Sequence, residues 1–67
     1  MVKWEYKLLV ERKKDNNWVW DDTKKSQSSQ SRLDEMGNQG WELVAITNFL
    51  YGGYTQTYEL YFKRPIE

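Results

Sequence analysis

The stretch Leu33-Asp34-Glu35-Met36-Gly37-Asn38-Gln39-Gly40-Trp41-Glu42-Leu43-Val44-Ala45-Ile46 decides the fold. Leu33 and Met36 stand three apart, the spacing that sets two side chains on one face of a helix. Gly37 follows at once, where a left-handed residue closes a helix and glycine adopts that conformation without strain. Asn38 and Gln39 are polar, and Gly40 permits a second sharp change of direction. The period then changes from about 3.6 to 2. Trp41, Leu43 and Ala45 are expected on one side of a strand, and Glu42, Val44 and Ile46 on the other.

Outward from this block the chain divides into strands. Residues 2–12 alternate: Trp4, Tyr6, Leu8 and Val10 share one face, and Lys3, Glu5, Lys7, Leu9 and Glu11 the other, as in a strand with one buried side. Asp15-Asn16-Asn17 is a turn cluster. Trp18-Val19-Trp20 reads either as a short returning strand or as a loop carrying two tryptophans. The serine-rich stretch from Thr23 to Gln30 looks like a linker by composition, yet Ser26, Ser28 and Ser29 are all suitable helix N-caps. A helix is expected from there to about Met36, too short to persist without tertiary contacts.

Trp41 to Leu50 is a second long strand, Tyr51-Gly52-Gly53-Tyr54 a tight turn, and Tyr54 to Arg64 a third strand ended by Pro65. In that strand Tyr54, Gln56, Tyr58, Leu60 and Phe62 share one face. The expectation is an α+β fold of one domain, residues 1–67. A three- to four-stranded, mainly antiparallel sheet carries one short helix on one face, in the order β-α-β-β with a further short strand at 18–20 left open. A right-handed crossover through the helix places the first strand beside the third.

Three segments together resemble a known family. Leu33-x-x-Met36-Gly37-x-x-Gly40-Trp41-Glu42-Leu43-Val44 is similar to the signature of the DUF4177 family, a small domain of unknown function. Lys3-Trp4-Glu5-Tyr6-Lys7 resembles that family's opening strand, and Tyr61-Phe62-Lys63-Arg64-Pro65 its closing one. The segment Lys13 to Ser31 departs from the pattern and is treated as a variable insertion over 13–27. The resemblance implies a fold and no activity.

Composition narrows the chemistry. The 67 residues hold no cysteine and no histidine. Disulfides, thiolate metal sites, the commonest zinc ligand and the commonest general base are therefore absent. Asp21-Asp22 and Asp34-Glu35 are neighbours in sequence, which do not face each other on a strand or helix, so they read as solvated surface. No catalytic residue, metal ligand or cofactor is expected, and the chain is read as non-enzymatic. Glu42 is expected to pair across strands with Lys7 or Arg64.

Ten basic residues balance ten acidic ones, which argues against binding to duplex nucleic acid. No apolar run reaches the ~20 residues of a membrane span, and the start lacks a signal-like apolar segment, so the cytosol is the expected compartment.

The aromatic content stands out: four tryptophans and five tyrosines. Trp4 and Trp41, in alternating strands, are expected in the core. Trp18, Trp20, Tyr51 and Tyr54 lie in or beside turns, where burial explains them less well. With Arg12 and Arg32, and with Lys13 and Lys14 expected nearby, they form a candidate site for a small nucleotide-derived or other anionic ligand, aromatic faces stacking on a ring and cations meeting phosphate. One short helix covers one sheet face, whereas apolar residues occur on both, with Leu9, Val44 and Tyr61 expected on the uncovered side. A homodimer or higher assembly is therefore expected, with ligand near its seam. Sequestration, by analogy with phage-encoded sponges of host immune nucleotides, is the mode of action such a module suggests. A protein-interaction module using strand edges and an aromatic rim is the alternative.

Overall fold

A computed structural model describes residues 1–66. Its elements are β1 (Lys3–Lys14), β2 (Asn17–Trp20), α1 (Ser29–Asn38), β3 (Glu42–Tyr51) and β4 (Tyr54–Ile66). One antiparallel sheet holds all four strands in the order β2-β1-β4-β3. The expected contact between the first strand and the last is present, from Lys3 opposite Ile66 to Arg12 opposite Thr57. The expected order needs one correction. Residues 18–20 lie in a true strand, so the helix follows two strands, giving β-β-α-β-β.

Both hairpins turn on two residues with positive φ. Asp15 and Asn16 adopt 51° and 67°, and Gly52 and Gly53 adopt 62° and 82°. Paired left-handed residues twist with the strands they join, which makes such turns compact. β4 runs through Pro65 to Ile66 instead of stopping before it. β3 begins at Glu42, opposite Lys63. At Pro65, β4 therefore has only β1 beside it, and a missing amide is tolerated on a strand's open edge.

The serine-rich segment is not a linker. Trp20 N–H donates to the Lys25 carbonyl at 3.0 Å, and Ser26 Oγ donates to the Trp18 carbonyl at 2.8 Å, folding the segment back on β2. Ser28 is the N-cap: its hydroxyl oxygen accepts from the Ser31 amide at 3.1 Å. The helix closes later than expected. Gly37 lies inside it, and Gly40, at φ 86°, is the left-handed residue. The amide of Gly40 donates to the Gly37 carbonyl, and that of Trp41 to the Met36 carbonyl, each at 3.0 Å. That pair of bonds is a Schellman closure, and Trp41 rests on the core cluster that contains Met36. The glycine spacing thus hands the chain from helix to β3 with one tryptophan already seated.

The core is Leu9, Trp20, Met36, Leu60 and Phe62, flanked by Leu33, Trp41 and Leu43. It lies between α1 and one face of the sheet. On β1 that face is the Lys7, Leu9, Glu11 side, the reverse of the expectation: Leu9 is buried, while Trp4, Tyr6 and Leu8 are exposed. Trp4 is accordingly outside the core and Trp41 half-buried against it. On β3 a register shift between Leu43 and Ala45 leaves Val44 as an extra residue. Ala45 then pairs with Tyr61 and Ile46 with Leu60, so each lies on the side opposite to that expected from alternation.

Candidate functional site

Two surfaces stand apart from the core. The first is the sheet face away from the helix. Cross-strand register places Trp4, Tyr6 and Leu8 of β1, Tyr61 and Lys63 of β4, and Phe49 of β3 together on it. Tyr6 is 72% exposed, Phe49 57% and Leu8 51%. Its charges are matched locally. Lys63 Nζ stands 4.4 Å from the Trp4 ring centroid and 3.7 Å from the Glu42 carboxylate. Glu42 thus pairs across strands with Lys63, not with Lys7 or Arg64. Glu59 accepts from Thr57 at 2.6 Å and from Thr47 at 3.1 Å. The face is aromatic, apolar and without a dominant charge.

The second surface is a cleft of about 400 Å³ at the end of the sheet where the β1–β2 turn meets the start of β4. Lys13, Asp15, Asn16, Tyr54 and Gln56 line it. It holds one ammonium, one carboxylate and one exposed aromatic ring, with Tyr51 opposite Tyr54 across the hairpin.

The six candidate ligand residues do not form one site. Tyr51 and Tyr54 are exposed at the hairpin tip. Trp18 is half-buried, its ring tilted 43° against Tyr58 at 5.3 Å between centroids. Arg12 gives two hydrogen bonds to Asp21, from Nε at 3.3 Å and Nη2 at 3.0 Å. That arrangement raises the Arg12 pKa and holds the Asp21 carboxyl below its usual 3.8.

Trp20 and Arg32 are withdrawn from the surface altogether, at 0% and 1% exposure. Trp20 donates from its indole nitrogen to the Gln27 carbonyl at 2.9 Å. Arg32 bonds Asp22 at 2.7 Å and Glu35 at 3.2 Å. These two residues hold the helix to the β1–β2 hairpin. The inserted segment supplies both Trp20 and the carbonyl it needs, which is why a tryptophan beside a turn ends in the core. Lys13, expected near the aromatics, does line the cleft with Tyr54, whereas Asp15, Asn16 and Gln56 fall outside the expected residues. The Asp-Asn turn signal marks where Lys13 must stand, but the approach of β4 to it depends on long-range register.

A small antiparallel sheet, covered by a helix on one side and aromatic on the other, defines the structural class. The chain belongs to the family described as a domain of unknown function, DUF4177, whose family model matches residues 4–65. No curated protein and no solved structure matches the chain. Among the described residues, no helix is long and apolar enough to cross a membrane.

Proposed function

We propose that the chain is a non-enzymatic, self-associating binding module. A second copy covers the open sheet face, and the tip cleft takes a small planar anionic ligand, with nucleotide-derived molecules the class to test first. The open face carries this reading. Trp4, Tyr6, Leu8 and Tyr61 stand in solvent at neighbouring positions of β1 and β4, with Phe49 further along the same side, and contiguous exposed apolar surface usually marks an interface. A two-fold contact sets the same patch against itself. This patch tolerates that at Lys63, which is already paired with Glu42, while Glu59 is held by the Thr47 and Thr57 hydroxyls. For the ligand, the support is Tyr54 as a flat face and Lys13 as a cation in one cleft, with Asp15 in the same lining offsetting part of that charge.

Sedimentation velocity at tens of micromolar tests the assembly. A dimer or larger species is expected, and Leu8→Glu is expected to reduce it to monomer. A monomer at every concentration overturns the proposal. Calorimetry against cyclic and linear nucleotides tests the ligand, with Lys13→Ala and Tyr54→Ala as controls. Absence of heat at millimolar ligand removes that part.

A second reading rests on a different feature. β3 is an edge strand, ten residues long and mostly exposed, with no partner on its outer side among the described residues. Such an edge can accept a strand from a partner protein. Hydrogen exchange separates the two readings. Strand addition protects the outward amides of β3, whereas contact through the open face leaves them fast.

A further inference from the structure

On the helix side, a groove of about 320 Å³ opens between the first turns of α1 and the sheet. Ser29 and Leu33 form one wall, and Glu11, Ile46, Tyr58 and Leu60 form the floor. The shift at Val44 brings Ile46 opposite Leu60, so the irregularity in β3 widens the groove's apolar floor. Pocket volumes for small ligands start near ~300 Å³, and such pockets pair an apolar lining with a few placed polar groups.

Here the placed group is Glu11. It lies in β1 between Trp20 of β2 and Tyr58 of β4, and among the described residues its carboxylate has no hydrogen bond or ion pair. The nearby guanidiniums are already committed, Arg12 to Asp21 and Arg32 to Asp22 and Glu35. Desolvation raises the Glu11 pKa, as expected for a carboxylate against apolar neighbours without a cation.

We infer that this groove binds a small organic cation with an apolar body, an arylalkylamine being the fitting class. The ring lies on Leu33, Ile46 and Leu60, and the ammonium meets the Glu11 carboxylate. The Tyr58 ring beside Glu11 offers the same ammonium an aromatic face. An anion of equal size would meet the carboxylate's repulsion, and a neutral hydrocarbon would bury it without compensation. The inference does not depend on self-association or on the tip cleft.

The test is an amide NMR titration of the full isotope-labelled chain with tryptamine, and with indole-3-acetate as the anion carrying the same ring system. Tryptamine is expected to give saturable shifts at Glu11, Leu33, Ile46 and Tyr58, and indole-3-acetate to bind at least tenfold more weakly. Glu11→Gln is expected to weaken tryptamine at least fivefold while the remaining spectrum stays native. Ile46 is exposed, so Ile46→Ala trims the apolar floor without opening the core and is expected to weaken both compounds. Equal affinity for amine and acid, an unchanged Glu11→Gln variant, or shifts that map elsewhere would overturn the assignment, as would a titration with no saturation.

Discussion

The guanidinium of Arg32 lies 5.0 Å from the centroid of the Trp20 ring, and neither side chain reaches solvent. The contact joins helix to hairpin across the inserted segment. Its acidic partners come from both sides, Asp22 just after β2 and Glu35 one turn along the helix. Arg32 Nε has no hydrogen-bond partner among the described residues, so the indole contact and the two carboxylates are what hold the group in place.

Truncating this pair should be costly. Trp20→Ala removes the largest side chain in a five-residue core and the hydrogen bond to Gln27. Large-to-small changes of this kind cost about 3–5 kcal/mol, a large share of the stability of a small domain. The expected outcome is a chain unfolded or close to it at 25 °C by circular dichroism. Arg32→Lys is expected to destabilise as well, because an ammonium cannot stack on the ring while bonding two carboxylates. An Arg32→Lys variant with the parent's urea midpoint would contradict this account.

The two glycines of the helix closure should respond in opposite directions. Gly37 is helical with open space where a Cβ would stand. Gly37→Ala should therefore stabilise by about 0.4–1 kcal/mol through the unfolded chain. Gly40 also has open space, but its φ of 86° penalises any side chain. Gly40→Ala should cost about 1–2 kcal/mol. Urea midpoints at equal slope check both, and a stabilising Gly40→Ala would refute the Schellman assignment.

The closure shows what the sequence could and could not disclose. The pattern of two glycines and a tryptophan announced a helix, a turn and a strand. It did not say which glycine is left-handed, because a helix frays or extends by a residue or two according to its cap and its contacts. The face of β1 was harder. Trp4, Tyr6, Leu8 and Val10 form the more apolar side, so alternation favours burying it. The other side is buried because Trp20, Leu60 and Phe62 meet Leu9 there, under Met36 of the helix. Those partners come from β2, β4 and α1, and the periodicity of one strand carries no information about them. At Val44 an extra residue reverses the alternation, and nothing in the residue types marks it. Two of the candidate ligand residues, Trp20 and Arg32, are buried for the same kind of reason: aromatic and cationic side chains near turns also serve to fasten a small core.

Two carboxylates should give stability opposite pH dependences. Glu11 is raised above 4.5 by desolvation. The folded state then holds its proton more tightly than the unfolded chain, so its contribution is greatest at low pH and is lost as pH rises from 4.5 through the folded value. Asp21 is lowered below 3.8, first by its hydrogen bond from Arg12. Its contribution is present above 3.8 and is lost as pH falls through the lower folded value. Glu11→Gln is therefore expected to raise the Tm at neutral pH, with the gain vanishing well below 4.5. Asp21→Asn is expected to lower the Tm slightly at neutral pH, because the pair is exposed, and to converge on the parent in acid. Thermal melts at several pH values check both signs.

Leu8 and Leu9 are neighbours in sequence on opposite faces of the sheet, and they test the inverted face of β1. Leu9 is 2% exposed and touches the core, whereas Leu8 is 51% exposed on the open face. Leu9→Ala should cost about 2–5 kcal/mol, the range for truncating a buried leucine. In dilute monomer, Leu8→Ala should change stability by no more than about 0.5 kcal/mol, as for a surface position. If a second copy covers the open face as proposed, Leu8→Ala should cost more at high protein concentration, because the second copy would lose an apolar contact that the isolated subunit never made. Measuring both variants across a hundredfold range of protein concentration separates the subunit's own core from the face proposed to meet a second copy. Equal losses for the two leucines at every concentration would place both in one core and remove the open face from the fold.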